Sequence, residues 1–377
     1  GNGVVTRYEY DERMRRLVRI VSTAGSQRLQ DVAYCYDAVG NITSLDDRAQ
    51  PVLYYANQEI RARATYRYDG LYRLTEATGR EHRDQAGGGD QRRAPDVYAP
   101  VGDPADPQRL RMYTQRYAYD DAGNILSMRH DADSTTQWTR VYRYAYEPWR
   151  EREHGPQPPA GPPPETPASN RLLATGSLDD VREPYAYDLH GNMTAMPGLP
   201  TMAWDWREAM VTSAASDGGT GVEYACDAGG QRVRKVWHGS RDGATRTERV
   251  YLGALEVYRE YKGDLDSAPR LVRWTVHVMD DERRVYCEER DEGPAAIGTL
   301  CRYQLDDHLG SSRLELGGEG VTGHTSRGEL GREDFHPYGT TAYQSADPAL
   351  AKRPKRYRYT AMERDTETGL QLHGVRY

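Results

Sequence analysis

"YCYDAVGNITSL", Tyr34 to Leu45, sets two tyrosines two apart, an aspartate directly after them, and a Gly-Asn pair that begins three residues beyond the aspartate. A catalytic constellation normally occurs once in a domain, whereas a building unit recurs. This one recurs, as "YAYDDAGNILSM" from Tyr117 and "YAYDLHGNMTAM" from Tyr185, with partial copies at Tyr8, Tyr66, Tyr224 and Tyr303. Residues i and i+2 of an extended chain share a face, so Tyr34 and Tyr36 stand side by side on one surface of a strand. Asp37 ends that strand, because its short carboxylate accepts hydrogen bonds from the amides just ahead of it. Gly40 and Asn41 tolerate the positive φ that a four- or five-residue hairpin loop needs. The same reading places Tyr66, Tyr68 and Asp69, then Tyr117, Tyr119, Asp120, Gly123 and Asn124, then Tyr185, Tyr187, Asp188, Gly191 and Asn192, as structural residues of successive β-hairpins. Ile42 and Leu45 are three apart, as are Met193 and Met196, which breaks strict alternation; a β-bulge or apolar groups on both faces would account for it.

Composition points the same way. Hydrophobic residues make up 37% of the 377, and the mean hydropathy is −0.88, so a large conventional core is not expected. Tyrosine outnumbers phenylalanine 29 to 1, which suits a sheet whose rings bury their bodies and keep a polar tip for water or a partner. A net charge of −7 argues against nucleic acid as a principal partner, and no apolar run is long enough to span a membrane. The chain opens in mid-pattern with "GNGVVTRYEYD" and is expected to be cut from something longer. Four cysteines without a CxxC pair make zinc improbable. Cys287 and Cys301 could pair across a hairpin, but buried free thiols are expected.

The repeat aspartates are read at positions 11, 37, 69, 120, 188, 227 and 306. Two insertions intervene, a polar, turn-rich one near 82–108 and a proline-rich one near 154–170. Residues 1–300 read as one repeat array with loop insertions, because the unit resumes after each, and 301–377 as a region of different texture. "WREAMVTSA" from Trp206 is the best helical signal, with a further hairpin as the alternative. The expected fold is all-β, a ribbon of hairpins.

The "YDxxGN" units together with "YQLDDHLGSSRL", "FHPYGTTAYQ" and "YRYTAMERDTETGLQLHGVRY" resemble the RHS/YD-repeat family, and 301–377 resembles the start of its RHS-associated core. The closing segments are most similar to the B and C components of insecticidal toxin complexes and to polymorphic toxins; teneurins are more distant members. Two positions depart from the family pattern: Met362 stands where a lysine is usual, and "LQLHGVRY" replaces a more tyrosine-rich run. The resemblance implies a β-ribbon spiralling into a hollow shell, secreted, that encloses a C-terminal toxin; its partners would be the rest of the shell, the enclosed toxin and other toxin-complex subunits. Several members end their core in a self-cleavage motif around "DPxGL", and no residue here matches it.

Candidate chemistry is sparse. Asp306, Asp307 and His308 look catalytic, but adjacent strand residues point to opposite faces, so turn capping is the expectation. His324 and His336 have no recognisable partner spacing, so a ligand role is not expected of either. Glu363, Arg364, Asp365 and Glu367 read as an ion-pair and turn network. Walker, Gly-x-Ser-x-Gly and His-Glu-x-x-His signatures are missing, so no catalytic, cofactor or metal residue is assigned and the chain is expected not to be an enzyme. The competing reading is a carbohydrate-binding adhesion module, with tyrosines as exposed stacking platforms. What separates the two is whether the rings form ladders or platforms.

Overall fold

The computed structural model describes residues 2–55, 58–83, 109–133, 136–145, 169–214, 221–239, 245–263, 265–281, 283–318, 328–347, 350 and 353–373. Among these residues strand accounts for 62% and helix for 2%, so the chain is all-β. Eleven strands, from Val4–Tyr10 to Glu183–Pro184, form one antiparallel sheet. Twelve more, from Thr201–Trp204 to Thr341–Ala346, form a second, and in both, but for one skipped hairpin in the first, the neighbours in space are neighbours in sequence. One small hairpin, Leu53–Tyr55 with Gln58–Ile60, stands outside the first sheet, so that Ile42–Asp47 pairs directly with Arg63–Tyr68. A second, Ala186–Tyr187 with Met193–Ala195, lies between the sheets in sequence. The second sheet runs unbroken across position 300, inside the strand Thr299–Asp306.

The bulge is the answer to the three-residue spacing. Cys35 pairs with Ser44 and Tyr36 with Ile42, so Thr43 is extra and Ile42 rejoins Leu45 on the face of Tyr34 and Tyr36. The same shift recurs between Arg67 and Tyr68, Ala203 and Trp204, Ala225 and Cys226, Leu305 and Asp306, and Asp334 and Phe335.

Burial is divided among small clusters, as the low apolar content requires. Ile20, Val32, Tyr34 and Leu45 form one, with Tyr36 and Tyr66 packed against it. Leu29 of the first sheet joins Leu305, Leu314 and Leu316 of the second in another, so the two sheets meet at a shared seam.

Most of the two insertions expected near 82–108 and 154–170 lies outside the described residues, which omit 84–108 and 146–168. Their flanking strands are nevertheless adjacent: Leu74–His82 pairs with Leu110–Tyr119, and Thr136–Tyr144 with Leu172–Gly176. "WREAMVTSA" is a hairpin: Thr201–Trp204 and Met210–Ala214 pair around a turn at Asp205. All four cysteines are free, and Cys301 lies opposite Glu288 rather than Cys287. Among the described residues no helix is long and apolar enough to cross a membrane.

Candidate functional site

Each turn is built by its aspartate. Asp37 Oδ1 accepts from the amides of Val39, Gly40 and Asn41 at 3.1, 2.8 and 2.8 Å, and Oδ2 from Asn41 Nδ2 at 2.8 Å. Asp188 does the same with His190, Gly191 and Asn192, and Asp120 holds Asn124 through both oxygens. Gly40 is at φ +110°, and a Cβ there would lie 3.2 Å from the Arg16 guanidinium; Gly123 and Gly191 also have positive φ. Asp69 holds the amides of Leu71 and Arg73, without a Gly-Asn pair. Such amide donors keep the Asp37 and Asp188 carboxyls below the usual range, overcoming the effect of burial at Asp37.

The tyrosines link one unit to the next. After the first pair, Tyr8 and Tyr10, the second tyrosine of each pair donates to the carbonyl of the residue that opens an earlier strand. Tyr36 reaches Leu17 at 2.6 Å, Tyr68 reaches Ile42 at 2.9 Å and Tyr119 reaches Leu74 at 2.8 Å. Tyr144 reaches Ile125 at 3.1 Å and Tyr187 reaches Leu172 at 3.0 Å. Trp204 repeats the bond through its indole N–H, to Met193 at 2.7 Å. Arginines complete the tie: Arg16 donates to the Asp37 carbonyl and lies over the Tyr36 ring, and Arg73 does so with Asp120 and Tyr119. The first tyrosines turn inward. Tyr34 and Tyr117 are buried, Tyr66 packs on the cluster around Tyr34, and Tyr185 is half-buried beside Thr175. Beyond the exposed first pair, Tyr8 and Tyr10, the repeat tyrosines therefore form ladders, and the tips of the second ones bond to backbone rather than waiting for water or a ligand.

Three units depart from the pattern, and there the buried charge collects. In the unit at Tyr224, Arg232 and Lys235 occupy the places that Ile42 and Leu45 hold in the Asp37 unit, and the bulge puts both on one face. They hold residues 353–373, which cross that sheet as a strap. Asp365 accepts from Arg232 at 2.9 Å, Lys235 at 2.9 Å and Tyr224 at 3.2 Å; Glu363 takes Arg232 at 2.6 Å, and Glu367 takes Lys235 at 2.9 Å. Further along, Arg353 bonds Asp291, Lys355 and Arg358 bond Glu333, and Arg356 bonds Glu256. Burial pushes the Glu363 carboxyl up, but Arg356, Arg232 and Lys235 outweigh it and hold it at about 2. Burial is likewise outweighed at Glu333 by Arg358 and Lys355, again to about 2.

The unit at Tyr303 is shifted by one residue from the sequence reading. Asp307, not Asp306, makes the turn: its Oδ1 accepts from the amides of Leu309 and Ser311, both at 2.9 Å. Asp306 falls at the place of the second tyrosine, with Oδ1 buried and unpartnered, and burial together with Asp307 raises its carboxyl to about 7. His308 packs edge-on against Tyr34 at 5.1 Å. The three side chains do not converge.

In the third unit, "EDFHPYGTTA", His336 takes the aspartate's place. Its amide bonds the Thr340 carbonyl at 2.8 Å and its Nδ1 lies 3.0 Å from Thr340 Oγ1. The other ring nitrogen points across the seam to Glu81 of the first sheet, which also meets His130. Sequence reasoning found none of this, since Glu81 and His336 are 255 residues apart; the signal was a histidine at an aspartate position. His324 lies outside the described residues.

Searched against protein-family models, the chain matches none. It is 30% identical over 393 residues to toxin subunit YenC1 of Yersinia entomophaga and 30% over 391 to YenC2 of the same organism. Those matches span all of the chain but 36% and 37% of the relatives' length. The TcdB2–TccC3 crystal structure matches 99% of the chain with a TM-score of 0.77 at 25% identity, over 17% of its own chain. The Tc holotoxin pore of Photorhabdus luminescens matches with the same TM-score and identity, over 16% of its chain.

Proposed function

From the premise that the chain belongs to the RHS/YD-repeat family, as a homologue of toxin-complex subunits, we propose that it is a wall segment of a secreted hollow shell that encloses and shields a C-terminal toxin. It has no catalytic task of its own in this reading; its work is mechanical. The observation that carries the proposal is the tyrosine tie, repeated from unit to unit, which makes hairpins into a continuous wall. A wall with water or unfolded polypeptide behind it tolerates polar residues on both faces, in keeping with the composition. Its partners are the remaining shell, the enclosed polypeptide and other toxin-complex subunits.

The adhesion reading needs rings whose faces and hydroxyls are free. Inward first tyrosines and backbone-bonded second ones count against it, and a glycan array without specific binding is expected.

Electron microscopy and limited proteolysis of the complete gene product test the shell. A hollow particle is expected, with C-terminal polypeptide that resists protease while native and is digested after unfolding. A solid particle, or equal digestion in both states, would overturn the proposal.

A further inference from the structure

Glu81, His130 and His336 are buried, and their three ligand atoms lie within 4.8 Å of one another. We propose that they form a three-ligand site for a divalent transition ion of the zinc class, which clamps the two sheets across their seam. Glu81 lies on the strand Leu74–His82 and His130 on Ile125–Asp133 of the first sheet, while His336 caps the turn after Glu329–Phe335 of the second.

The distances suit an ion. Glu81 Oε2 is 3.2 Å from His130 Nε2 and 3.2 Å from His336 Nε2. Bonds of about 2.0–2.1 Å in a tetrahedral site place neighbouring ligand atoms roughly 3.3 Å apart, so these two separations already fit, and the third, between the two ring nitrogens, lies within 4.8 Å and closes on loading. Both rings are held beforehand. His130 is stacked between Tyr113 and Trp138, at 5.6 and 5.0 Å, and its Nδ1 lies 3.3 Å from the Gln115 amide. His336 is steadied by Thr340 and by the edge of Tyr113. Positioning of the second ring nitrogen by a hydrogen-bond partner is what metal-binding histidines require.

Proton positions must change on loading. Without an ion, each Nε2–H donates to Glu81. With one, each ring carries its proton on Nδ1: Thr340 Oγ1 accepts one, and a half-turn of the Gln115 amide lets its oxygen accept the other. The Tyr117 hydroxyl, which donates to Gln115 Oε1 at 2.6 Å, then accepts instead. Arg111 occupies Glu81 Oε1 at 2.8 Å, leaving Oε2 as a single ligand oxygen beside a fixed positive charge. That charge disfavours calcium and magnesium, which depend on several oxygen ligands, and leaves ions that bind imidazole strongly.

The test is titration of the metal-stripped chain with zinc and cobalt(II), with magnesium as control, followed by calorimetry, thermal unfolding and the cobalt visible spectrum. One equivalent of zinc is expected, with a raised thermal midpoint and no response to magnesium. Cobalt should give a tetrahedral absorption without a thiolate charge-transfer band, which excludes the free cysteines. His336→Gln should weaken zinc at least about 100-fold, going by the loss seen even for outer-shell changes. No zinc uptake by the wild-type chain, a thiolate band, or undiminished binding in folded H336Q would each overturn the site. Should H336Q not fold, the wild-type stoichiometry and spectrum decide alone.

Discussion

The Lys235 ammonium and the Asp365 carboxylate lie 2.9 Å apart, both buried, though 130 residues separate them. Burial alone would push the lysine's pKa down; Asp365, Glu367 and Glu363 outweigh it and raise it. Removing one partner of a buried pair strands the other's charge and costs about 3–5 kcal/mol. Asp365→Ala should therefore destabilise the chain by that amount in urea titrations. Adding Lys235→Met should restore part of the loss, and strict additivity in that cycle would refute a direct coupling.

Asp306 should limit stability at high pH. Its folded pKa is raised from 3.8 to about 7, so the folded state holds a proton that the unfolded state has lost. Its contribution is fully favourable below the unfolded value and declines as pH rises from there through about 7. Asp306→Asn should stabilise the chain by roughly 1–3 kcal/mol at about pH 8, with little gain near pH 4. An equal effect at both pH values would contradict the buried, unpartnered carboxyl.

Acid should act through other groups. Glu81, Glu333 and Glu363 are held at about 2 against an ordinary 4.5. At Glu81, burial is outweighed by the hydrogen bonds from His130 and His336. Depressed carboxyls stabilise above the unfolded value and lose that contribution as pH falls through the folded one. The near-UV circular dichroism should stay native at about pH 5 and collapse between about 4.5 and 2, with a shallower slope in Glu333→Gln.

The tyrosine tie predicts a graded series. Tyr36→Phe, Tyr68→Phe and Tyr144→Phe each lose one hydroxyl-to-carbonyl bond and should cost about 0.5–1.5 kcal/mol apiece, adding in combination. Urea midpoints at an unchanged slope would measure it. Phenylalanine at the exposed Tyr54, which makes no such bond to backbone, should cost less.

The turn aspartates rank differently. Asp37→Asn keeps one oxygen for the amides of Gly40 and Asn41, whereas Asp37→Ala keeps none. Thermal midpoints should fall in the order wild type, Asn, Ala, and the gap between wild type and Ala should narrow as the carboxyl protonates in acid.

What could be read from residues alone was what acts over short distances. Asp37 and its amides are four positions apart at most, and Tyr34 and Tyr36 share a face by strand geometry, so the hairpin and the ladder were legible. The strap was half visible: "ERDTE" read as an ion-pair network, but its cations, Arg232 and Lys235, stood unnoticed at positions the repeat keeps apolar. Asp306 lies in register with the tyrosine pattern and so reads as the turn residue, whereas the backbone bonds place Asp307 there. His336 and Glu81 could not be joined in advance, since nothing local records which strands meet at a seam.

The extra residue carried by so many hairpins has a consequence for size. A bulge adds right-handed twist to its strand pair, and here it falls at a matching place each time, so the increments accumulate in one sense. Such a surface has no flat resting form. In the proposed shell the bore would be set by the rotation per hairpin and the height by how many hairpins are strung together, so a gene could lengthen such a vessel by duplication while leaving its width untouched.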